Sequence, residues 1–414
     1  MASPTTSASP WVSQSAAKSR QAALGRLVHN RVLLVAMLAG LIAACTLSFL
    51  THAPNRLVSG TGVSLFAVLN EDRWAWAALL PGLGLAGGVF LRPSVRAHAW
   101  VVTCASLQLL GLAWLAGHQA DVNASAGSPL SRTSLGGGFW CMAILAWLAA
   151  SDALRRWGPG LLARTAAHAA LLAPVLAWAM SGGLDGLSLF KEYANRRDVF
   201  HDAWVAHLGI VFGALAPTLL IGVPLGVAAF RHARVGQGLN AFLNVVQTIP
   251  SIALFGLLMA PLTWLSAQWP SLGIKGVGWL PAVVALTLYA LLPVVHSTCA
   301  GLRQVPRAAT EAAVGMGLTA RQVFWKVEVP LALPLLLSGI RVTTVQTVGL
   351  AVVAALIGAG GLGAIVFQGL LSSALDLVLL GVLPVVGLAI GVNAFFELLS
   401  GALSFHRSIV RTAP

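Results

Sequence analysis

Ten long apolar runs, separated by short polar connections, constrain this chain more than any other feature. They fall near residues 32–50, 74–91, 97–116, 135–151, 161–180, 208–230, 239–261, 279–300, 334–357 and 376–400. Each is long enough to cross a hydrocarbon layer of roughly 30 Å as a helix. In such a layer every backbone polar group must be satisfied within the protein, so the expected fold is all-α, a polytopic transmembrane bundle of about ten spans. Composition agrees: 57% of the 414 residues are hydrophobic and 9% are charged, against about 25% charged in soluble domains.

The net charge of +13 would suggest nucleic acid in a soluble protein. Here the basic residues flank spans, where they set orientation, and nucleic acid is excluded as a partner. With both termini cytoplasmic, most of the 25 lysines and arginines fall on the cytoplasmic side, among them Arg92, Arg96, Arg155, Arg156, Arg303, Arg307 and Arg321. A miscounted span would invert every later assignment and erase this bias. Residues 1–31, rich in Ser and Ala, read as a disordered cytoplasmic tail. Ile42-Ala43-Ala44-Cys45 has the outline of a lipoprotein cleavage box, but the apolar run continues through Leu50, which favours a span over processing.

The extracytoplasmic connector 181–206 divides the chain into an N-terminal five-span region, 32–180, and a second half, 207–405. The first half has few polar residues within its spans; the second carries amides, hydroxyls, prolines and glycines at membrane depth, where polar groups are costly and face a pathway or another helix. Gln247, Thr248 and Ser251 surround Pro250, and Thr343, Thr344, Gln346 and Thr347 share a later span; with Tyr289, whose ring could offer a π face to a cation, they are the pathway candidates. Interhelical hydrogen bonding competes with that reading for each of them. Spans almost free of acids argue against ion-coupled secondary transport, and no cluster of His, Asp, Glu or Cys at depth suggests a membrane enzyme or a metal site.

Between the last two polar spans lies a cytoplasmic segment, 303–333. Pro306 suits a helix start, Gly317 suits its end, and Thr319 with Gln322 has the spacing of a capping box that opens a second helix, expected to stop near Pro330. Alanines line the first helix, and Val323, Phe324 and Val327 form an apolar stripe on the second. Glu311-Ala312-Ala313, then Gly317, then Val327-Glu328-Val329-Pro330 resembles the EAA loop of bacterial ABC-importer permeases, with valines where isoleucine and leucine are usual. That resemblance implies an ATPase subunit docked at Glu311, Ala312, Ala313, Gly317, Phe324 and Pro330, an extracytoplasmic substrate-binding protein, and a second permease copy in the cytoplasmic membrane, all embedded in lipid. It also implies alternating access driven from the ATPase.

Gln247-Thr248-Ile249-Pro250-Ser251, Leu288-Tyr289-Ala290-Leu291-Leu292-Pro293 and Leu356-Ile357-Gly358-Ala359-Gly360-Gly361-Leu362-Gly363 are similar to the osmoprotectant branch of that family, which implies glycine betaine, carnitine or choline as substrate. Ser297-Thr298 stands where that branch often has Asn-Thr, which leaves amino acids and other small molecules as alternatives. Gly358–Gly363 formally fits GxGxxG, but the strand, helix and acid that a dinucleotide site needs are missing, so a tight or re-entrant turn between helices is expected. The chain has no P-loop; it is expected to be no enzyme and to bind no cofactor, with ATP and Mg held by the partner.

Overall fold

The computed structural model describes residues 28–55, 58, 60–71, 73–126, 130–273 and 275–411, with side chains through 403 apart from that of Leu272. Most of the tail expected over 1–31 lies outside the described residues. The chain divides into two compact units, Met1–Lys191 and Glu192–Pro414. Among the described residues, eight helices are long and apolar enough to cross a membrane, where ten spans were expected.

The difference has local causes. In the first unit, α1 (Arg31–Thr46) is shorter than expected because the run continues as strand β1 (Ser48–Ala53). Phe49 and Leu50 are fully buried from that strand, and a short apolar run reads alike for strand and helix. β1 lies between β2 (Thr61–Ser64) and β3 (Arg132–Leu135) in an antiparallel sheet that no sequence signal had suggested. After α2 (Leu65–Glu71), the expected span 74–91 is divided into a 3-10 turn, Arg73–Leu79, and a short α3, Leu80–Gly88, with Pro81 in its first turn. Gly82, Gly84, Gly87 and Gly88 weaken helix in that run.

Three long helices complete this unit: α4 (Val95–Ala126), α5 (Gly137–Trp157) and α6 (Leu161–Met180). Phe49, Leu50, Leu69, Leu112 and Leu115 form one buried cluster, and Leu33, Leu85, Ala105, Ala150 and Leu171 belong to a second. A chain of polar contacts fastens the sheet to α4. Gln119 Nε2 donates to Glu71 Oε2 at 2.6 Å and to Asn123 Oδ1 at 3.2 Å. Asn123 Nδ2 in turn donates to Thr133 Oγ1 at 3.2 Å, with His52 Nδ1 at 3.3 Å from the same hydroxyl. Lys191 on α7 (Ser188–Asn195) donates to the Ser131 carbonyl at 3.4 Å. Burial pushes its ammonium below the usual lysine range, Arg132 adding to the shift and Asp121 opposing it.

The second unit is built on α8 (Arg197–Arg231), which packs most extensively against α11 (Trp279–Arg303). Small residues allow the approach: a Cβ at Gly222 would sit 3.0 Å from Val294, and one at Gly226 2.6 Å from Thr298. This is how membrane helices gain close van der Waals packing without a hydrophobic driving force. Thr218 and Thr287 satisfy their hydroxyls on carbonyls one turn back, each at 2.7 Å, and so remain compatible with full burial. α11 also packs on α14 (Val329–Leu350), where Gly339 rests directly on Ser297. The expected span 239–261 is broken at Pro250 into α9 (Ala233–Thr248) and α10 (Ser251–Gln268). Beyond α14 the chain passes through a 3-10 turn, Val353–Ile357, into α15 (Leu362–Leu371) and the final α16 (Leu375–Arg411).

Candidate functional site

The segment 303–333, expected to be cytoplasmic, folds as a helical hairpin. Pro306, extended at ψ 130°, is the residue before α12 (Arg307–Gly315). Gly317 ends that helix at φ +85°, a left-handed conformation suited to glycine, and its N–H donates to Val314 O at 2.9 Å. Both halves of the capping box are formed: Thr319 N–H donates to Gln322 Oε1 at 2.8 Å, and Gln322 N–H donates to Thr319 Oγ1 at 3.4 Å. The helix it opens, α13 (Ala320–Val323), does not stop near Pro330. It continues through one π-turn, Phe324–Glu328, straight into α14.

The reason lies in the proline. Pro330 has no N–H to give and would leave a carbonyl of the previous turn unpaired. Widening that turn, with Val329 N–H donating to Phe324 O five residues back, lets the chain pass without breaking. One continuous helical element of 31 residues, Ala320–Leu350, thus carries the second arm of the hairpin at one end and a membrane span at the other.

The expected docking residues separate by exposure. Glu311, Ala312 and Gly317 are exposed, as is Pro330. Ala313, at 1% exposure, is buried inside the hairpin and holds its two arms together. Phe324 is half-buried with the Arg231 guanidinium 4.9 Å over its ring, which ties the hairpin to the end of α8. A cavity of about 380 Å³ opens beside it, lined by Val227, Arg231, Ala320, Arg321, Phe324 and Trp325. Val314, Met316 and Trp325 are 60%, 74% and 60% exposed. Sequence reasoning did not single them out, although large apolar side chains flanking a basic turn were the available signal.

Five of the eight pathway candidates, Gln247, Thr248, Tyr289, Thr344 and Thr347, donate side-chain hydrogen bonds to backbone carbonyls. Gln247 Nε2 donates to the Tyr289 carbonyl at 2.9 Å, and the Tyr289 hydroxyl donates to the Ile249 carbonyl. Together they pin the α9–α10 break onto α11. Thr248 donates to Val245 O at 2.7 Å, and Ser251 opens α10 directly after Pro250. On α14, Thr343, Thr344 and Thr347 are buried while Gln346 is exposed on another face. Thr344 and Thr347 donate to carbonyls one turn back at 2.8 Å, and the Thr343 hydroxyl is buried without a partner. Arg341, about two turns along α14 from Pro334, lies 3.9 Å from Glu397 on α16.

The glycine-rich run is a turn, as expected. Gly358, Gly360 and Gly361 all take φ +76°, and Gly278 N–H donates to Ile357 O at 2.8 Å. Beneath the turn lies His207 of α8, fully buried, with neither ring nitrogen in a well-formed hydrogen bond. A Cβ at Gly361 would stand 3.3 Å from it. Nothing in the sequence around His207 distinguishes it from the scattered histidines.

Residues 209–405 match the family model of the binding-protein-dependent transport system inner membrane component, and residues 29–190 match the N-terminal domain of the ABC transporter permease YehY. The osmoprotectant import permease protein OsmW of Salmonella typhimurium is 41% identical over 184 residues, 44% of this chain and 82% of that protein. The glycine betaine/carnitine/choline transport system permease protein OpuCB of Bacillus subtilis is 36% identical over 44% of this chain and 79% of that one. Among solved structures, the MetNI methionine ABC transporter in an inward-facing conformation matches at 23% identity and a TM-score of 0.46, over 50% of this chain and 98% of that chain. The chain belongs to the binding-protein-dependent transport system inner membrane components, and it is a multi-pass permease subunit of an ABC importer.

Proposed function

We propose that this permease imports quaternary-ammonium osmoprotectants, that α12 and the turn after it are the docking element for its ATPase, and that both termini are cytoplasmic. The observation that carries the coupling reading is the unbroken helix from Ala320 to Leu350. A hairpin joined to a span by a flexible linker would lose displacement in the linker. Here a push or rotation at Trp325 is delivered to Thr343, Thr344 and Thr347 along one continuous helix, and through α14 to α11 and α16. Interfaces between packed helices are bistable rather than continuously deformable, which turns such a displacement into a switch.

The substrate reading rests on the relatives' names. OsmW is named for osmoprotectants, and OpuCB for glycine betaine, carnitine and choline. These solutes share a trimethylammonium group, and the spans offer neutral hydroxyls and amides rather than carboxylates, a lining that does not trap a cation. ATP and Mg belong to the partner ATPase, and a second permease copy completes the pathway. ATP-driven closure of the two ATPases then acts on both hairpins at once.

The test is uptake into proteoliposomes holding the permease, its ATPase and its binding protein. Labelled choline, carnitine and glycine betaine are compared with a panel of amino acids. Accumulation of the first group with ATP inside supports the reading. Uptake of an amino acid in preference to all three refutes the substrate assignment.

A further inference from the structure

The turn that joins α3 to α4 holds charge beside an apolar trough. Arg92 and Arg96 are exposed on either side of Pro93 and Ser94, and among the described residues neither forms an ion pair. Ser94 caps α4, its hydroxyl accepting from Ala97 N–H at 3.2 Å. Leu83, Gly84, Gly87, Leu91, Ala97 and Trp100 complete an open groove of about 710 Å³. The Trp100 indole N–H donates to the Gly84 carbonyl at 2.9 Å, which fixes the ring as a wall and satisfies its one polar atom. A Cβ at Gly87 would meet nothing within 4 Å, so the groove is open above it.

We propose that this groove is a binding site for one anionic phospholipid, its phosphate between Arg92 and Arg96 and its acyl chain along Leu83, Gly87 and Trp100. Three observations converge on that occupant. The groove is amphipathic lengthwise, charged at the turn and apolar along the helices, as a lipid is. It adjoins the start of a helix long enough to span the membrane, Val95–Ser125, so the charged end lies at the interface. Two guanidiniums with no acid beside them favour phosphate, which they can hold by paired hydrogen bonds, over a headgroup that brings its own cation. A soluble anion would use the arginines but would leave the apolar trough unfilled.

The full-length chain, stripped of lipid in detergent, is tested by native mass spectrometry against phosphatidylglycerol, phosphatidylcholine and glycerol phosphate. Each basic residue near a membrane surface favours anionic lipid several-fold, so retention of phosphatidylglycerol over phosphatidylcholine by roughly tenfold or more is expected. Arg92→Gln with Arg96→Gln abolishes that preference. Gly87→Leu fills the trough without touching a charge and lowers retention of phosphatidylglycerol to a similar extent. Should the double variant fail to fold, Gly87→Leu carries the test, since its side chain enters open space and a helix gains from losing a glycine. Equal retention of the two lipids, wild-type retention by Gly87→Leu, or displacement of phosphatidylglycerol by an equal concentration of glycerol phosphate overturns the assignment.

Discussion

Tryptophan placed at Ala312 and, separately, at Ala313 distinguishes a docking face from a folding core one residue away. Ala312 is exposed on α12, whereas Ala313 is 1% exposed inside the hairpin. An indole at Ala313 must find room among packed side chains, and overpacking of that kind costs about 1–3 kcal/mol. The same indole at Ala312 points outward, so stability should change by less than about 0.5 kcal/mol. At a docked interface, however, it meets the partner where a methyl group did, and a misfit of about 1–3 kcal/mol there weakens binding roughly 5- to 150-fold. The assay is affinity of the purified ATPase for the permease in nanodiscs, with melting temperature measured alongside. Ala312→Trp is expected to lower affinity and uptake while melting unchanged; Ala313→Trp is expected to lower melting first. Wild-type ATPase affinity and uptake by Ala312→Trp would refute the docking assignment, because no folding defect could then be blamed.

Thr319→Ala removes one half of the capping box and should destabilise the start of α13 by about 0.5–2 kcal/mol, read as faster amide exchange over 320–323. Tyr289→Phe keeps the ring but orphans the Ile249 carbonyl, so stability should fall by about 0.5–1.5 kcal/mol with KM unchanged; a changed KM instead would return Tyr289 to the pathway. Gly363→Ala drives a methyl group into the Val352 carbonyl, and a loss of about 1–3 kcal/mol should appear as a lower melting temperature, with wild-type melting contradicting the close packing at the start of α15.

Much of the second unit was legible because its signals are local. The capping box at Thr319 and Gln322, the positive φ at Gly317 and the turn at Gly358–Gly361 each follow from residue types within a few positions of one another. The end of α13 was not legible in the same way. Pro330 reads as a stop by local rules, and only the π-turn before it, supported by packing of the hairpin against α8, carries the helix through. In the first unit Phe49 and Leu50 continue an apolar run that reads as helix; pairing of Leu50 with Leu135 and the Gly136 N–H donated to Phe49 O, both far along the chain, make the segment strand instead.

Sequence by itself determined the solvent, the helical class and the position of the hairpin along the chain, because apolar run length and caps act over one or two turns. Tertiary structure decided which apolar runs cross as one helix, which of Ala312 and Ala313 faces outward, and that Gln247 and Tyr289 brace a helix break. Those outcomes depend on what stands opposite each side chain. That neighbour is set by helix packing, and small residues such as Gly222, Gly226 and Gly339 take their meaning only from the element that fits against them.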